Sequence, residues 1–86
     1  MDRARFLVLV MRLPAFDPAG IPQHRAFLDA LRAEGRLELA GPFGDGSGGA
    51  YLLLADDRDE AEAIARRDPL HRSGSSRIEV RAWHAA

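Results

Sequence analysis

The sequence contains no cysteine and no lysine, and it has no long apolar run. Without cysteine, the chain can form no disulfide, offers no thiol nucleophile and can build no thiolate metal site. The apolar run over residues 6–11 (FLVLVM) is too short to cross a bilayer and precedes no small-residue cleavage site. The formal net charge of −1 favours neither nucleic acid nor an anionic membrane as a partner. We therefore expect a soluble protein of the cytoplasm.

The composition is that of one small globular domain. The chain has 86 residues, of which 47% are hydrophobic and 29% charged. This length predicts a single domain over residues 1–86. A domain of this size buries only about 60–65% of its unfolded surface, so association with another copy would help to stabilise it.

Hydrophobic periodicity predicts the order βαββαβ. Pro22 suits a first helical position, Gly35 suits a helix end, and Pro69 requires the second helix to stop before it. The predicted strands cover residues 5–13, 36–43, 50–55 and 77–83, and the predicted helices cover 22–34 and 56–67. This order predicts a ferredoxin-like α+β fold, with a four-stranded antiparallel sheet and both helices on one face.

The first and third predicted strands are apolar on both alternating faces. In the second strand, Leu37 and Leu39 are predicted to point inward, and the fourth strand is predicted to be an edge. Two helices cover one face of the sheet, so a second copy of the chain is expected to cover the other as a homodimer. The alternative is that a few exposed leucines need no cover, which is normal on protein surfaces.

His24 and Asp68 are the candidate catalytic residues. His24 lies three, four and seven residues before Phe27, Leu28 and Leu31, on the inward face of the first helix. Asp68 continues the inward face of the second helix, and the topology brings both residues to one end of the fold. Asp68 would then accept a hydrogen bond from one imidazole nitrogen and leave the other as a base. Because the helix dipoles oppose both charges at these termini, the pair is predicted to reduce stability.

Three segments together resemble the YCII-related family: HRAFLDALRAEGRL, then AGP, then RDPL followed by Gly74. The resemblance implies a ferredoxin-like fold that dimerises as an α/β barrel. It also implies an active site at the histidine and aspartate that match His24 and Asp68. Some members of the family are enzymes, among them a dehydrochlorinase that acts on a chlorinated hydroxyquinol. Where the family often has an aromatic residue after Asp-Pro, this chain has Leu70.

Four further residues are predicted to contact substrate. Arg36 offers a cation for an anionic group, Gly41 and Pro42 form part of a pocket rim, and Leu70 shapes the pocket. The glycine-rich segment over residues 41–49 lacks the Lys-Ser/Thr ending and the following helix of a phosphate loop, so it is interpreted as a hairpin connection.

No metal and no cofactor are predicted. His71 with His24 and Asp68 would make two histidines and a carboxylate, as in non-haem iron sites, but their spacing is not a ligand motif. A solvated loop residue is an equally good interpretation of His71. His84, two residues from the C-terminus, is expected to be exposed.

The leading functional hypothesis is a small-molecule enzyme with lyase- or isomerase-type acid–base chemistry. The alternatives are a non-catalytic ligand-binding or regulatory module, and a structural dimer in which the histidine is buried and inert.

Overall fold

The computed structural model describes residues 3–85. The four strands are β1 (Ala4–Arg12), β2 (Leu37–Pro42), β3 (Gly48–Ala55) and β4 (Ser76–Ala82). The helices are α1 (Ile21–Ala33), α2 (Arg58–Ala65) and the short α3 (Pro69–Arg72), with a 3₁₀ turn at Pro18–Gly20 before α1. The predicted order is confirmed, and α3 and the 3₁₀ turn are additions to it.

The strands form one antiparallel sheet in the order β2-β3-β1-β4. This is the ferredoxin-like arrangement, so the predicted fold class is confirmed. β4 lies at an edge, as predicted, and the doubly apolar strands β1 and β3 are central. In the register, Val8 of β1 lies between Tyr51 of β3 and Val80 of β4.

The hydrophobic core lies between the sheet and the helices. Alternate residues of β1, namely Phe6, Val8 and Val10, are buried on this face. Leu31 of α1 and Ile64 of α2 pack against them from the helix layer. The intervening β1 residues face the other side of the sheet and are only partly buried.

The prediction that Leu39 points inward is wrong. A register shift between Leu37 and Leu39 in the pairing of β2 with β3 turns the strand by one residue. Leu37 is therefore buried, whereas Leu39 is 68% exposed on the open face of the sheet. Strand side chains alternate with a period of two, so one extra residue is enough to reverse the face.

The second helix ends earlier than predicted. α2 begins after Asp57, whose side chain caps it by accepting from the backbone N–H of Glu60, and it ends at Ala65. Asp68 then has an extended backbone, as expected for a residue before proline, and Pro69 starts α3. Asp68 is therefore not the end of a long helix but the start of a new one.

Within residues 3–85, no helix is both long enough and apolar enough to span a bilayer.

Candidate active site

His24 and Asp68 are in direct contact. The Nδ1 atom of His24 lies 2.8 Å from Oδ1 of Asp68. Their side chains are 18% and 0% exposed, respectively. The predicted meeting of these two residues, which are far apart in the sequence, is therefore seen in the structure.

Asp68 is held in position as the N-cap of α3. Its Oδ1 atom also accepts a hydrogen bond of 2.9 Å from the backbone N–H of Leu70, and this makes Asp68 the N-cap of α3. Aspartate is among the preferred N-cap residues because its oxygen satisfies an N–H that has no partner inside the helix. Asp68 follows the C-terminus of α2, as predicted, but it also caps the start of α3, where the helix dipole favours its negative charge.

The contact defines the tautomer of the histidine. A carboxylate oxygen only accepts hydrogen bonds, so Nδ1 of His24 carries the proton that is donated to Asp68. The neutral ring then has its lone pair on Nε2. No hydrogen-bond partner for Nε2 is found within the described part of the chain, and Nε2 is thus available as a base.

A cavity of about 480 Å³ lies beside the pair. It is found where β1 and β2 end, where β3 and β4 begin and where α1 starts. His24 lines it from α1, and Tyr51 and Ser76 line it from the sheet. Much of the remaining wall is apolar and includes Val10, Phe16, Ile21, Leu28 and Leu70. A volume of this size suits a small cyclic molecule.

Tyr51 and Ser76 were not identified from the sequence as site residues. Both are 2% exposed, and neither side-chain hydroxyl has a hydrogen-bond partner within residues 3–85. Burial raises the pKa of the Tyr51 phenol, and the charge of Asp68 raises it further. The phenol therefore stays protonated at neutral pH and can donate a hydrogen bond. Tyrosine within an apolar run such as AYLLLA is common in protein cores. The only feature of the sequence that could have indicated a site at Tyr51 is its hydroxyl group, which needs a hydrogen-bond partner when it is buried.

The mouth of the cavity carries positive charge. Arg12, Arg25 and Arg32 line it together with a single acidic residue, Asp29. Arg32 pairs with Asp29 at 3.5 Å. The guanidinium carbon of Arg12 lies 4.2 Å from the centroid of the Phe16 ring, which holds this cation at the rim.

Three of the four predicted substrate-binding residues line the cavity: Gly41, Pro42 and Leu70. Arg36 does not. It follows α1, where its guanidinium lies 2.7 Å from the carboxylate of Glu60 in α2. This hydrogen bond raises the pKa of Arg36 and lowers that of Glu60. We therefore assign Arg36 to an ion pair between elements and not to the cavity.

The alternative iron site receives no support from the geometry. In the part of the chain that the structure describes, no three His, Asp or Glu side chains come together as metal ligands. His71 lies on α3 but is not grouped with His24 and Asp68 in this way.

The fold and the site define a class: a ferredoxin-like α+β domain with a partly buried His–Asp pair beside a mostly apolar cavity. The YCII-related domain model matches residues 4–84, and the chain belongs to this family. The uncharacterized protein YjpA of Bacillus subtilis (strain 168) is 45% identical over 78 residues, which cover 91% of this chain and 92% of that protein.

Two solved structures share the fold. One is 5-chloro-2-hydroxyhydroquinone dehydrochlorinase from Burkholderia phenoliruptrix AC1100, in complex with 2,5-dihydroxybenzoquinone. It has a TM-score of 0.77 and 22% identity, and the match covers 95% of each chain. The other is muconolactone isomerase, with a TM-score of 0.74, 17% identity and coverage of 95% of this chain and 90% of that one.

Proposed function

We propose that the protein is a small-molecule enzyme in which His24 acts as a general acid–base and Asp68 orients it. The observation that carries the proposal is the 2.8 Å contact between Nδ1 of His24 and Oδ1 of Asp68, in a histidine that lines a cavity. A buried, inert histidine would be expected in a filled core. The cavity therefore favours a functional pair over the structural alternative.

The pair is suited to moving one proton. Nε2 of His24 takes a proton from a bound molecule, and the imidazolium that forms is stabilised by the Asp68 carboxylate. In an isomerisation, the same proton returns to another atom of the substrate. In a dehydrochlorination, one proton and one chloride ion leave. Such proton transfer contributes about 10²–10⁴-fold to a rate.

We propose small oxygenated ring compounds with negative charge as the substrate class. The two enzymes that share the fold act, by name, on 5-chloro-2-hydroxyhydroquinone and on muconolactone. The cavity has the volume for one ring, and three arginines against one aspartate at its mouth favour an anion.

The test replaces His24 in two ways. The amide nitrogen of asparagine lies close to the place of Nδ1, so His24→Asn keeps a donor for Asp68 and removes Nε2. In His24→Gln, the side-chain amide lies near the former position of Nε2, and the Nδ1 donor to Asp68 is lost. Wild type and both variants would be assayed for chloride release from 5-chloro-2-hydroxyhydroquinone and for isomerisation of muconolactone.

We expect turnover of one of these compounds by wild type and a loss of about 10²-fold or more in kcat for His24→Asn, without unfolding. His71→Asn is the matched control, because His71 does not line the cavity, and it should retain activity. If wild type binds these compounds but converts neither, the protein is a ligand-binding module. If His24→Asn unfolds early and still binds as wild type does, the histidine is structural.

We also propose that the working form is a homodimer joined through the open face of the sheet. Leu7, Leu9 and Met11 of β1 are only partly buried on this face, and Leu39 is 68% exposed there. A contiguous apolar surface of this kind on a short chain is typical of an interface between copies.

A further inference from the structure

We propose that the hydroxyls of Tyr51 and Ser76 form an oxygen-binding side of the cavity, on the sheet, while His24 works from the helix side. The ligand class that follows has a carbonyl or phenolate oxygen close to the atom that gains or loses the proton. This inference rests on the proposed function, because it assumes that the cavity is the active site.

The first support is the state of the two hydroxyls. Tyr51 and Ser76 are each 2% exposed, and neither hydroxyl has a partner in the described range 3–85. Buried polar groups in native proteins are nearly always hydrogen-bonded, because an unmade bond costs free energy. Both residues are among those that line the cavity, so a molecule bound there can supply the partners that residues 3–85 do not.

The second support is that Tyr51 is held in place. The rings of Phe27 and Tyr51 pack in a T-shaped arrangement, with the ring centroids 6.4 Å apart and the planes at 74°. Its backbone lies in the central strand β3, paired with Val8 and Ala40 on either side. A donor fixed in this way needs no reorganisation when negative charge develops on a ligand oxygen.

The charge state of Tyr51 sets its role. Its pKa is raised by burial and by Asp68, so the phenol is neutral and donates. Removal of a proton beside a carbonyl by His24 leaves an enolate oxygen, which is the acceptor that such a donor stabilises. The Ser76 hydroxyl, which can donate or accept, can serve the same or a neighbouring ligand oxygen.

There is a competing explanation. Oδ2 of Asp68 also has no partner among the described residues, and its charge acts on Tyr51. The phenol could therefore serve the fold by bonding to Asp68 through a water molecule. In that case, removal of the hydroxyl would reduce stability and would leave the affinity for the ligand unchanged.

The adjacent serines allow a crossed experiment. Ser75 and Ser76 are 5% and 2% exposed, but the Ser75 hydroxyl donates to the carbonyl oxygen of Leu70 at 3.1 Å, and Ser75 does not line the cavity. Tyr51→Phe, Ser76→Ala and the control Ser75→Ala would be compared with wild type. The readouts are melting temperature and calorimetric binding of 2,5-dihydroxybenzoquinone.

We expect Tyr51→Phe and Ser76→Ala to weaken binding of the quinone about 10- to 100-fold without lowering the melting temperature, since each removes an unpartnered hydroxyl. Ser75→Ala should lower the melting temperature by about 4–8 °C and leave the dissociation constant unchanged. The inference is overturned if Tyr51→Phe lowers the melting temperature as Ser75→Ala does and still binds the quinone as wild type does.

The outcomes separate this inference from the proposed enzyme. Binding that depends on Tyr51 in a protein without turnover supports the oxygen-binding side and refutes the enzyme. Turnover that depends on His24 but not on Tyr51 or Ser76 supports the enzyme and refutes the oxygen-binding side. If wild type does not bind the quinone at all, the ligand class inferred here is wrong.

Discussion

Asp68→Ala is the substitution whose effect on stability follows most directly from the structure. Oδ1 of Asp68 accepts two hydrogen bonds in a fully buried position, from His24 at 2.8 Å and from the backbone of Leu70 at 2.9 Å. Alanine removes the oxygen that accepts both hydrogen bonds. Loss of a side-chain N-cap costs about 1 kcal/mol, and a buried N–H left without an acceptor costs about 1–3 kcal/mol.

These losses are offset in part because alanine also removes Oδ2, which has no partner within residues 3–85. We therefore expect the free energy of unfolding to fall by about 2–3 kcal/mol, which in a domain of this size lowers the melting temperature by roughly 10–20 °C. Asp68→Asn is the matched control. It keeps an oxygen acceptor but loses the charge, and it should cost about 1 kcal/mol, since charge-assisted bonds are roughly twice as strong as neutral ones.

The measurement is urea unfolding followed by far-ultraviolet circular dichroism. Trp83 is 47% exposed, so its fluorescence is a poor reporter of unfolding. An Asp68→Ala variant within about 0.5 kcal/mol of wild type, which is the range of an ordinary surface substitution, would refute the argument. It would mean that the two hydrogen bonds of Asp68 do not stabilise the protein in solution.

Four other predictions follow from the open sheet face, the hairpin, the ion pair and the composition. Wild type should sediment at twice the chain mass and Leu9→Arg at the chain mass, and a wild-type monomer would contradict the proposed dimer. Gly48→Ala should destabilise by more than about 2 kcal/mol in urea unfolding, because φ is +152° and the added carbon would overlap the carbonyl oxygen of Val10. Because Arg36 lowers the pKa of Glu60, the pair stabilises the fold above the ordinary glutamate pKa of about 4.5, and this contribution is lost as the pH falls through the lower folded pKa. Glu60→Gln should remove that part of the pH dependence, and an unchanged stability profile would argue against the pair. Elemental analysis should find no stoichiometric transition metal, and about one zinc or iron per chain would reverse this prediction.

The strand and helix order could be predicted because each signal lies within a few residues. Phe6, Val8 and Val10 alternate along β1, and Gly35 with φ +74° ends the first helical region as predicted. No boundary differs from its prediction by more than two residues. The two-residue differences are at both ends of α2, which is shorter, and at the start of β3, which begins at Gly48 and not at residue 50.

The errors arose where a local pattern had more than one geometrical solution. Leu37 and Leu39 have the spacing of one strand face, and nothing in six residues of sequence reports the register shift that separates them. Likewise, Asp68 fits both the end of a long helix and the cap of a new one. The structure selects the cap, because the residue before a proline avoids helical geometry.

The sequence by itself determined the fold class, since composition and periodicity do not depend on contacts. It also predicted a single domain and a His24–Asp68 pair as the candidate site. Only the tertiary structure decided which nitrogen of His24 faces Asp68 and that Arg36 binds Glu60 and does not line the cavity. It also showed that Tyr51 and Ser76 are buried with hydroxyls that have no partner among residues 3–85. The physical reason is distance along the chain. His24 and Asp68 are 44 residues apart, and their geometry depends on how the helices pack on the sheet, which no local window of sequence encodes.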